Sequence, residues 1–196
     1  MNMMYSPRTG QKLQQRNTWH FIRYAYHEAG HAVVGHVLGR LIAGVSIVPD
    51  KERGYQGYCA FDEFIESAND RLQWQKGSRN PERITIMYAG TIAVKMICDW
   101  RGWKYERWRG CDKADFDYIH QWSLESFKDD EQRYHVQKMC QEQARAILER
   151  YDFVLNELAA VLLEEGRLSG AEVHLLIRQA LNETGPDWRL QALGMK

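Results

Sequence analysis

The sequence predicts a mostly α-helical domain with a small β hairpin or sheet. Apolar residues recur at helical spacing along most of the chain, whereas alternation of apolar with polar residues is confined to one short region. The length of 196 residues suits one well-packed domain and is short for two. We therefore expect one domain over residues 18–181, preceded by a flexible tail at residues 1–17 and followed by another at residues 182–196.

The N-terminal part of this domain predicts one helix and then two strands. Apolar residues keep helical spacing over residues 18–38, and Gly39 is a residue type that commonly follows a helix C-terminus. Residues 42–48 contain the alternation that is typical of a strand. Turn-forming residues come next, and residues 57–61 predict a returning strand, so the two strands are expected to be neighbours.

The remainder of the domain predicts further helices. Asn80 and Pro81 suit the N-cap and first position of a helix that runs to about Cys98. The polar residues 62–80 are ambiguous, and residues 100–110, dense in aromatic and basic side chains, predict a loop. Later helices are expected at about residues 112–126, 130–150, 153–165 and 169–181, the last beginning with a capping box of Ser169 and Glu172.

Charge and composition narrow the classes of partner. Acidic and basic residues balance at 26 each, so the whole-chain charge gives no footprint for nucleic acid or for a membrane surface. No segment approaches the roughly 18 uninterrupted apolar residues of a membrane span, and the N-terminus lacks the apolar core of a secretory signal. The cysteines are scattered, which predicts reduced, mostly buried thiols in a soluble, cytoplasmic protein. They are Cys59, Cys98, Cys111 and Cys140.

The clearest chemistry lies in the first predicted helix, where residues 27–31 (HEAGH) fit the pattern H-E-x-x-H. Four residues turn an α-helix by about 400°, so His27 and His31 project from one face, one turn apart. Two imidazoles so placed can bind Zn²⁺, which lowers the pKa of a bound water to about 7, and Glu28 is near enough to act as the general base. Gly30 supports this interpretation, because a glycine tolerated in mid-helix indicates close packing of another element.

The residues alone leave the third metal ligand open. A metzincin would carry a histidine six residues after His31, but position 37 is valine, which excludes that class. A thermolysin-like site would take a glutamate from a later helix, for which Glu82 is the nearest candidate, and an aspartate from a later helix is the other option. His36 lies about 180° around the helix from His27, so we interpret it as a surface or core residue.

A family resemblance bears on this choice. Residues 25–32 (AYHEAGHA) closely resemble the zinc-site helix of the FtsH-type family of membrane-anchored, ATP-dependent proteases. The resemblance covers about residues 18–181 and implies the zincin peptidase domain of that family, with its H-E-x-x-H helix and C-terminal helical hairpin. Further similar segments follow in the family's order: 45–49 (VSIVP), 57–61 (GYCAF), 89–93 (AGTIA) and 158–173 (LAAVLLEEGRLSGAEV).

The resemblance implies which residues bind the metal and the substrate. The family's third zinc ligand is an aspartate early in a helix, a position that Asp115 fits best, with Asp112 as the rival and Asp117 the weaker candidate. The alternative is that Asp112 is an N-cap and Asp115 a partner of the helix dipole. The family's strand along the cleft corresponds here to a predicted substrate-binding segment. Its residues are Gly57, Tyr58 and Cys59.

The chain also departs from the family pattern. It contains no G-x-x-x-x-G-K-[ST] motif for an ATPase module and no membrane span. Val94 and Lys95 stand where the family's small-residue helix usually continues with acidic residues, and residues 100–110 are more aromatic and basic than expected. The family implies a homo-oligomeric ring built largely by the ATPase module, so a homo-oligomer or an ATPase partner in trans stays open.

The sequence is therefore compatible with three functions. The first is a zinc-dependent peptidase that acts on unfolded or flexible polypeptides, with Glu28 activating water. The second is a catalytically weak or inactive metallopeptidase-like binding or regulatory protein, against which the intact Glu28 argues. The third is nucleic-acid binding through residues 100–110, which the neutral charge and the shortness of that segment disfavour.

Overall fold

The computed structural model describes residues 19–49, 52, 56–61, 80–105 and 112–182. Their secondary structure is mostly helical with a small sheet, which confirms the predicted fold class. In chain order the elements are α1 (Trp19–Val37), β1 (Ile42–Ser46), β2 (Tyr58–Phe61), α2 (Asn80–Arg101), α3 (Lys113–Ser126), α4 (Asp130–Arg150), α5 (Asp152–Glu165), β3 (Arg167–Ser169) and α6 (Gly170–Ala180).

Helices α1 and α2 pack closely at positions without large side chains. A Cβ atom on Gly30 would lie 2.7 Å from the carbonyl oxygen of Ala89 and 2.8 Å from the Cβ of Ala93. Any larger residue at Gly30 would force the two helices apart, because such distances are shorter than van der Waals contact. The sequence-based expectation that another element packs behind Gly30 is confirmed, and that element is α2.

The sheet has three strands in the order β2-β1-β3, with β1 antiparallel to both neighbours. Val45 of β1 lies opposite Cys59 of β2 and Leu168 of β3. The predicted pair of strands is therefore correct, but the prediction missed β3. Its three residues alternate exposed, buried, exposed, which is too short a pattern to identify a strand. Within the described residues, β2 forms one edge of this sheet.

Glycines in the left-handed conformation follow three helix ends. Gly39, with φ of 76°, follows α1 as predicted. Gly166, with φ of 79°, ends α5 as predicted, and Gly102, with φ of 64°, follows α2. Helix α2 runs to Arg101, three residues beyond the predicted end. The prediction stopped early because residues 99–101 are exposed and lack the apolar pattern on which it relied. Trp100 and Arg101 are therefore helical, which corrects the start of the predicted loop over residues 100–110.

The C-terminal helices have the predicted caps. The Ser169 hydroxyl accepts a hydrogen bond from the backbone N–H of Glu172, and the Glu172 carboxylate accepts one from the backbone N–H of Ser169. This reciprocal arrangement begins α6 directly after β3. The predicted tails apart from Asn182, the polar segment 62–79, and residues 106–110 of the aromatic-basic segment lie outside the described residues.

The core lies between α1 and the helices that pack against it. Its largest fully buried side chains include Ile84, Ile92, Leu148, Leu155, Leu158 and Leu162. Cys98 and Cys140 are buried, whereas Cys59 is only half-buried and Cys111 is outside the described residues. None of the helices in the described part of the chain is long and apolar enough to cross a membrane.

Candidate metal centre

Two imidazoles meet on one buried face of α1. The Nε2 atoms of His27 and His31 lie 3.0 Å apart, as expected for residues four positions apart on a helix. His27 is 7% exposed and His31 is 4% exposed. Burial removes both rings from bulk water, so their nitrogen atoms need partners within the protein.

Asp115, in the first turn of α3, completes a group of three candidate ligands. Its Oδ2 atom lies 3.0 Å from Nε2 of His27 and 3.3 Å from Nε2 of His31. Ligand atoms that share one tetrahedral zinc ion at its usual bond lengths lie about 3.3 Å apart, so the three atoms are nearly at the required spacing. Among the described residues, this is the one cluster of three or more such side chains with ligand atoms this close.

The backbone of α2 fixes the orientation of His31. The Nδ1 atom of His31 lies 2.7 Å from the carbonyl oxygen of Ile86, which can only accept a hydrogen bond. Nδ1 therefore carries the proton in the neutral ring, and the lone pair of Nε2 faces Asp115 and His27. A Cβ atom on Gly90 would lie 2.6 Å from Cε1 of His27 and 2.6 Å from Nε2 of His31, so glycine leaves the space that the two rings occupy.

Without a bound ion, charge interactions between the three side chains shift the pKa values of His31 and Asp115. Burial lowers the pKa of His31, but the charge and hydrogen bonding of Asp115 outweigh burial and raise that pKa to about 9. Burial raises the pKa of the Asp115 carboxyl, but the two imidazoles lower this pKa by more than burial raises it. The net pKa therefore lies below the usual range of an aspartate. The carboxylate thus stays ionised, which suits an anionic metal ligand.

Glu28 lies beside this group without belonging to it. The side chain is 6% exposed, and burial raises the pKa of its carboxyl, although the two imidazoles act in the opposite direction. A carboxyl with a raised pKa accepts and returns a proton more readily near neutral pH than an ordinary glutamate does. Its environment therefore suits a general base.

The residue that precedes β2, Gly57, lies next to Glu28. A Cβ atom on Gly57 would lie 2.9 Å from Oε1 of Glu28 and 3.0 Å from the carbonyl oxygen of Ser46, so the Gly57 backbone lies against the glutamate. Tyr58 is exposed and Cys59 half-buried. Burial, with a further contribution from the charge of Glu28, raises the pKa of the Cys59 thiol, so this residue stays protonated at neutral pH.

The other candidate ligands and His36, the last histidine of α1, lie outside this group. Glu82 is in the first turn of α2 and is not part of the three-ligand group. Asp117 is exposed and pairs with Lys113 at 2.6 Å. His36 is a core residue, because it is buried and its Nδ1 lies 2.9 Å from Nδ1 of His174.

Asp112 occupies the N-cap position of α3, but its side chain makes no capping hydrogen bond. Its Oδ2 accepts a hydrogen bond of 2.8 Å from the Tyr105 hydroxyl, and its Oδ1 pairs with Arg23 at 3.4 Å. The same Oδ1 lies 3.6 Å from Nδ1 of His27. Sequence analysis did not identify Arg23 and Tyr105, although Arg23 precedes His27 by four residues and so shares its helix face.

Comparisons with known proteins identify two similar zinc metalloproteases. The chain is 28% identical over 186 residues to the ATP-dependent zinc metalloprotease FtsH of Thermotoga maritima, an alignment that covers 79% of this chain and 30% of the relative. It is 27% identical over 185 residues to the ATP-dependent zinc metalloprotease FtsH 3 of Symbiobacterium thermophilum, covering 80% of this chain and 29% of the relative.

The two similarities cover most of this chain but a smaller part of each relative. No family model matches the sequence. The chain spans about 30% of the length of the curated relatives it matches. At the family level, the two similarities support a relationship to the FtsH zinc metalloproteases.

Proposed function

We propose that this protein is a zinc-dependent peptidase that hydrolyses peptide bonds in unfolded or flexible polypeptides. The observation that carries the proposal is the convergence of three ligand atoms beside a buried glutamate. Two imidazole nitrogens and one carboxylate oxygen form the donor set of many catalytic zinc sites, and such sites leave one position open for water or substrate. We further propose that the domain is a zincin of the FtsH type, in agreement with the names of the two relatives.

His27, His31 and Asp115 would hold the ion. When bound, zinc supplies a Lewis acid that polarises the scissile carbonyl and makes water acidic enough to react at neutral pH. Glu28 would accept the proton of the attacking water and later deliver it to the leaving amine. Its buried position beside the imidazoles supports that assignment.

Gly57, Tyr58 and Cys59 are proposed to bind the substrate. An extended peptide can pair with the backbone of a strand at a sheet edge, and β2 has that position among the described strands. Because Gly57 lies against Glu28, a peptide paired along this edge would pass close to the base. Backbone pairing demands an extended chain, which favours unfolded or flexible polypeptides as substrates.

The test compares the wild-type protein with Glu28→Gln. We expect about one zinc per chain in both proteins by metal analysis, because Glu28 is not in the ligand group. Cleavage of a fluorescently labelled, unstructured protein should fall by about 10²–10⁴-fold in the variant, the usual contribution of a general base. A wild-type protein that takes up no zinc on reconstitution would overturn the proposal, and equal activity in the two proteins would assign the cleavage to a contaminant.

A protein that binds zinc but cleaves nothing, with or without Glu28→Gln, would instead favour the metallopeptidase-like binding or regulatory protein. The feature in its favour comes from the resemblance: Val94 and Lys95 stand where the helix of the FtsH-type family usually continues with acidic residues. A repeat of the assay with a separate ATP-driven unfoldase would test for an ATPase partner in trans.

A further inference from the structure

One buried nitrogen of the metal centre has no hydrogen-bond partner within the described residues. It is Nδ1 of His27, whose ring is 7% exposed. His31 has a carbonyl acceptor for the corresponding atom, at 2.7 Å. If His27 is to offer the lone pair of Nε2 to a cation, Nδ1 must carry the proton and needs an acceptor.

The Asp112 carboxylate is placed to be that acceptor. Its Oδ1 atom is 3.6 Å from Nδ1 of His27, so a shift of less than about 1 Å would bring the pair to the usual length of a charge-assisted hydrogen bond. Asp112 is 4% exposed and its ion-pair partner Arg23 is 5% exposed. A buried carboxylate that does not cap its own helix, and that faces a metal-binding imidazole, is poorly explained by helix stability alone.

The residues that depart from the family pattern hold Asp112 in place. The Tyr105 hydroxyl donates a 2.8 Å hydrogen bond to Oδ2 of Asp112. The Tyr105 ring packs against Val94 and Cys98, and the ammonium group of Lys95 lies 5.1 Å from its centroid. Burial and the bond to Asp112 raise the pKa of Tyr105, so its hydroxyl keeps the proton that it donates.

We propose that Asp112, held by Tyr105 and Arg23, is a positioning residue that fixes the tautomer and orientation of His27 for metal binding. This inference rests on the proposed zinc site. It gives the start of the aromatic-basic segment a role, because Tyr105 connects that segment to the metal centre. Val94 and Lys95 contact the Tyr105 ring, so their connection to the site is indirect.

The test measures the zinc dissociation constant of the full chain by competition with a chromophoric chelator. Asp112→Asn should weaken zinc binding by about 10–100-fold, the usual cost of changing an outer-shell partner of a metal-binding histidine. Tyr105→Phe removes one hydroxyl and keeps the ring, and should weaken binding by about three- to tenfold, as expected for one hydrogen bond. Both variants should also shift the visible absorption bands of the protein loaded with Co²⁺.

Two exposed residues of α3 provide matched controls. Asp117→Asn changes the same charge five residues away, and Tyr118→Phe removes a tyrosine hydroxyl from a ring stacked on Trp122. Neither control should alter the zinc dissociation constant by more than about twofold, since neither side chain is near the imidazoles. Thermal unfolding of the metal-free proteins separates loss of stability from loss of metal binding.

The outcomes are distinct. If Asp112→Asn and Tyr105→Phe lower the unfolding temperature but leave zinc affinity and the Co²⁺ spectrum unchanged, Asp112 is structural and the proposal is wrong. If Asp112→Asn abolishes zinc binding as completely as Asp115→Ala does, Asp112 is a ligand and the proposal is again wrong. A wild type that binds zinc but cleaves no protein would overturn the peptidase function while the affinities still decide this inference, and a wild type that binds no zinc would overturn both.

Discussion

The Nδ1 atom of His31 lies 2.7 Å from a backbone carbonyl, whereas Nδ1 of His27 faces the side chain of Asp112 at 3.6 Å. On one side of the candidate metal centre, where α1 meets α2, a backbone carbonyl orients His31. The lack of side chains at Gly30 and Gly90 leaves room there for the close helix contact and for the two imidazole rings. The other side, where α3 meets α1, is held by side chains. A substitution of the side chain does not remove a backbone carbonyl. We therefore expect zinc affinity to fall on the α2 side when bulk is added, and on the α3 side when functional groups are removed.

The largest expected effect is at Asp115, on the side held by side chains. Asp115→Ala removes one of the three proposed ligands and leaves the two imidazoles, so zinc affinity should fall by more than the roughly 10–100-fold that an outer-shell change costs. Competition with a chromophoric chelator would measure it. Asp117→Ala, which removes an exposed carboxylate two residues further along α3, is the control and should leave the affinity unchanged. Retention of full zinc affinity in Asp115→Ala would remove Asp115 from the ligand set.

The next effect tests the α2 side by adding bulk. Gly90→Ala places a methyl group 2.6 Å from both imidazole rings, so it should lower the free energy of unfolding by about 1–3 kcal/mol and also weaken zinc binding. Chemical denaturation of the metal-free protein and a zinc titration would measure the two quantities.

Gly30→Ala is the matched control for Gly90→Ala. It adds the same methyl group to the same helix pair, but against Ala89 and Ala93 instead of the imidazoles. We expect a similar loss of stability with a smaller loss of zinc affinity. Equal effects of the two substitutions on zinc binding would show that zinc affinity depends on the spacing of the two helices and not on the space that Gly90 leaves for the imidazoles.

The two sides also differ in how much of them the sequence could predict. On the α1 side, the H-E-x-x-H spacing placed His27 and His31 on one helix face with Glu28 beside them, and Gly30 indicated a closely packed neighbour. Both signals lie within one helix, so the local sequence could reveal them. The capping box at Ser169 and Glu172 was predicted for the same reason. Strand β3 was missed, since three residues carry too little periodicity to distinguish a strand from a turn.

On the α3 side the local sequence could not separate Asp112 from Asp115. Both lie at the start of one helix, three residues apart, and share a helix face. Which of them meets the imidazoles depends on how α3 is placed against α1, a tertiary contact between residues about 90 positions apart. The roles of Arg23 and Tyr105 depend on the same placement, so no pattern within a helix or a loop could have indicated them.

The smallest expected effect is at Lys95 of α2, which lies farther from the imidazoles and over the ring of Tyr105. Lys95→Met keeps a long side chain and removes the charge, so it should lower the free energy of unfolding by about 0.5–1 kcal/mol through loss of the cation–π contact. Because Tyr105 keeps its hydroxyl on Asp112, zinc affinity should change by no more than about twofold.

A double-mutant cycle of Lys95→Met with Tyr105→Leu would isolate this contact, with Lys138→Met on α4 as a control for loss of an exposed lysine. A coupling energy near zero would mean that Lys95 only covers the ring. A loss of zinc affinity in Lys95→Met as large as that in Tyr105→Phe would mean that the ring position, as well as the hydroxyl, determines how Asp112 meets His27. The side of the site held by side chains would then extend from the imidazole to the surface of α2.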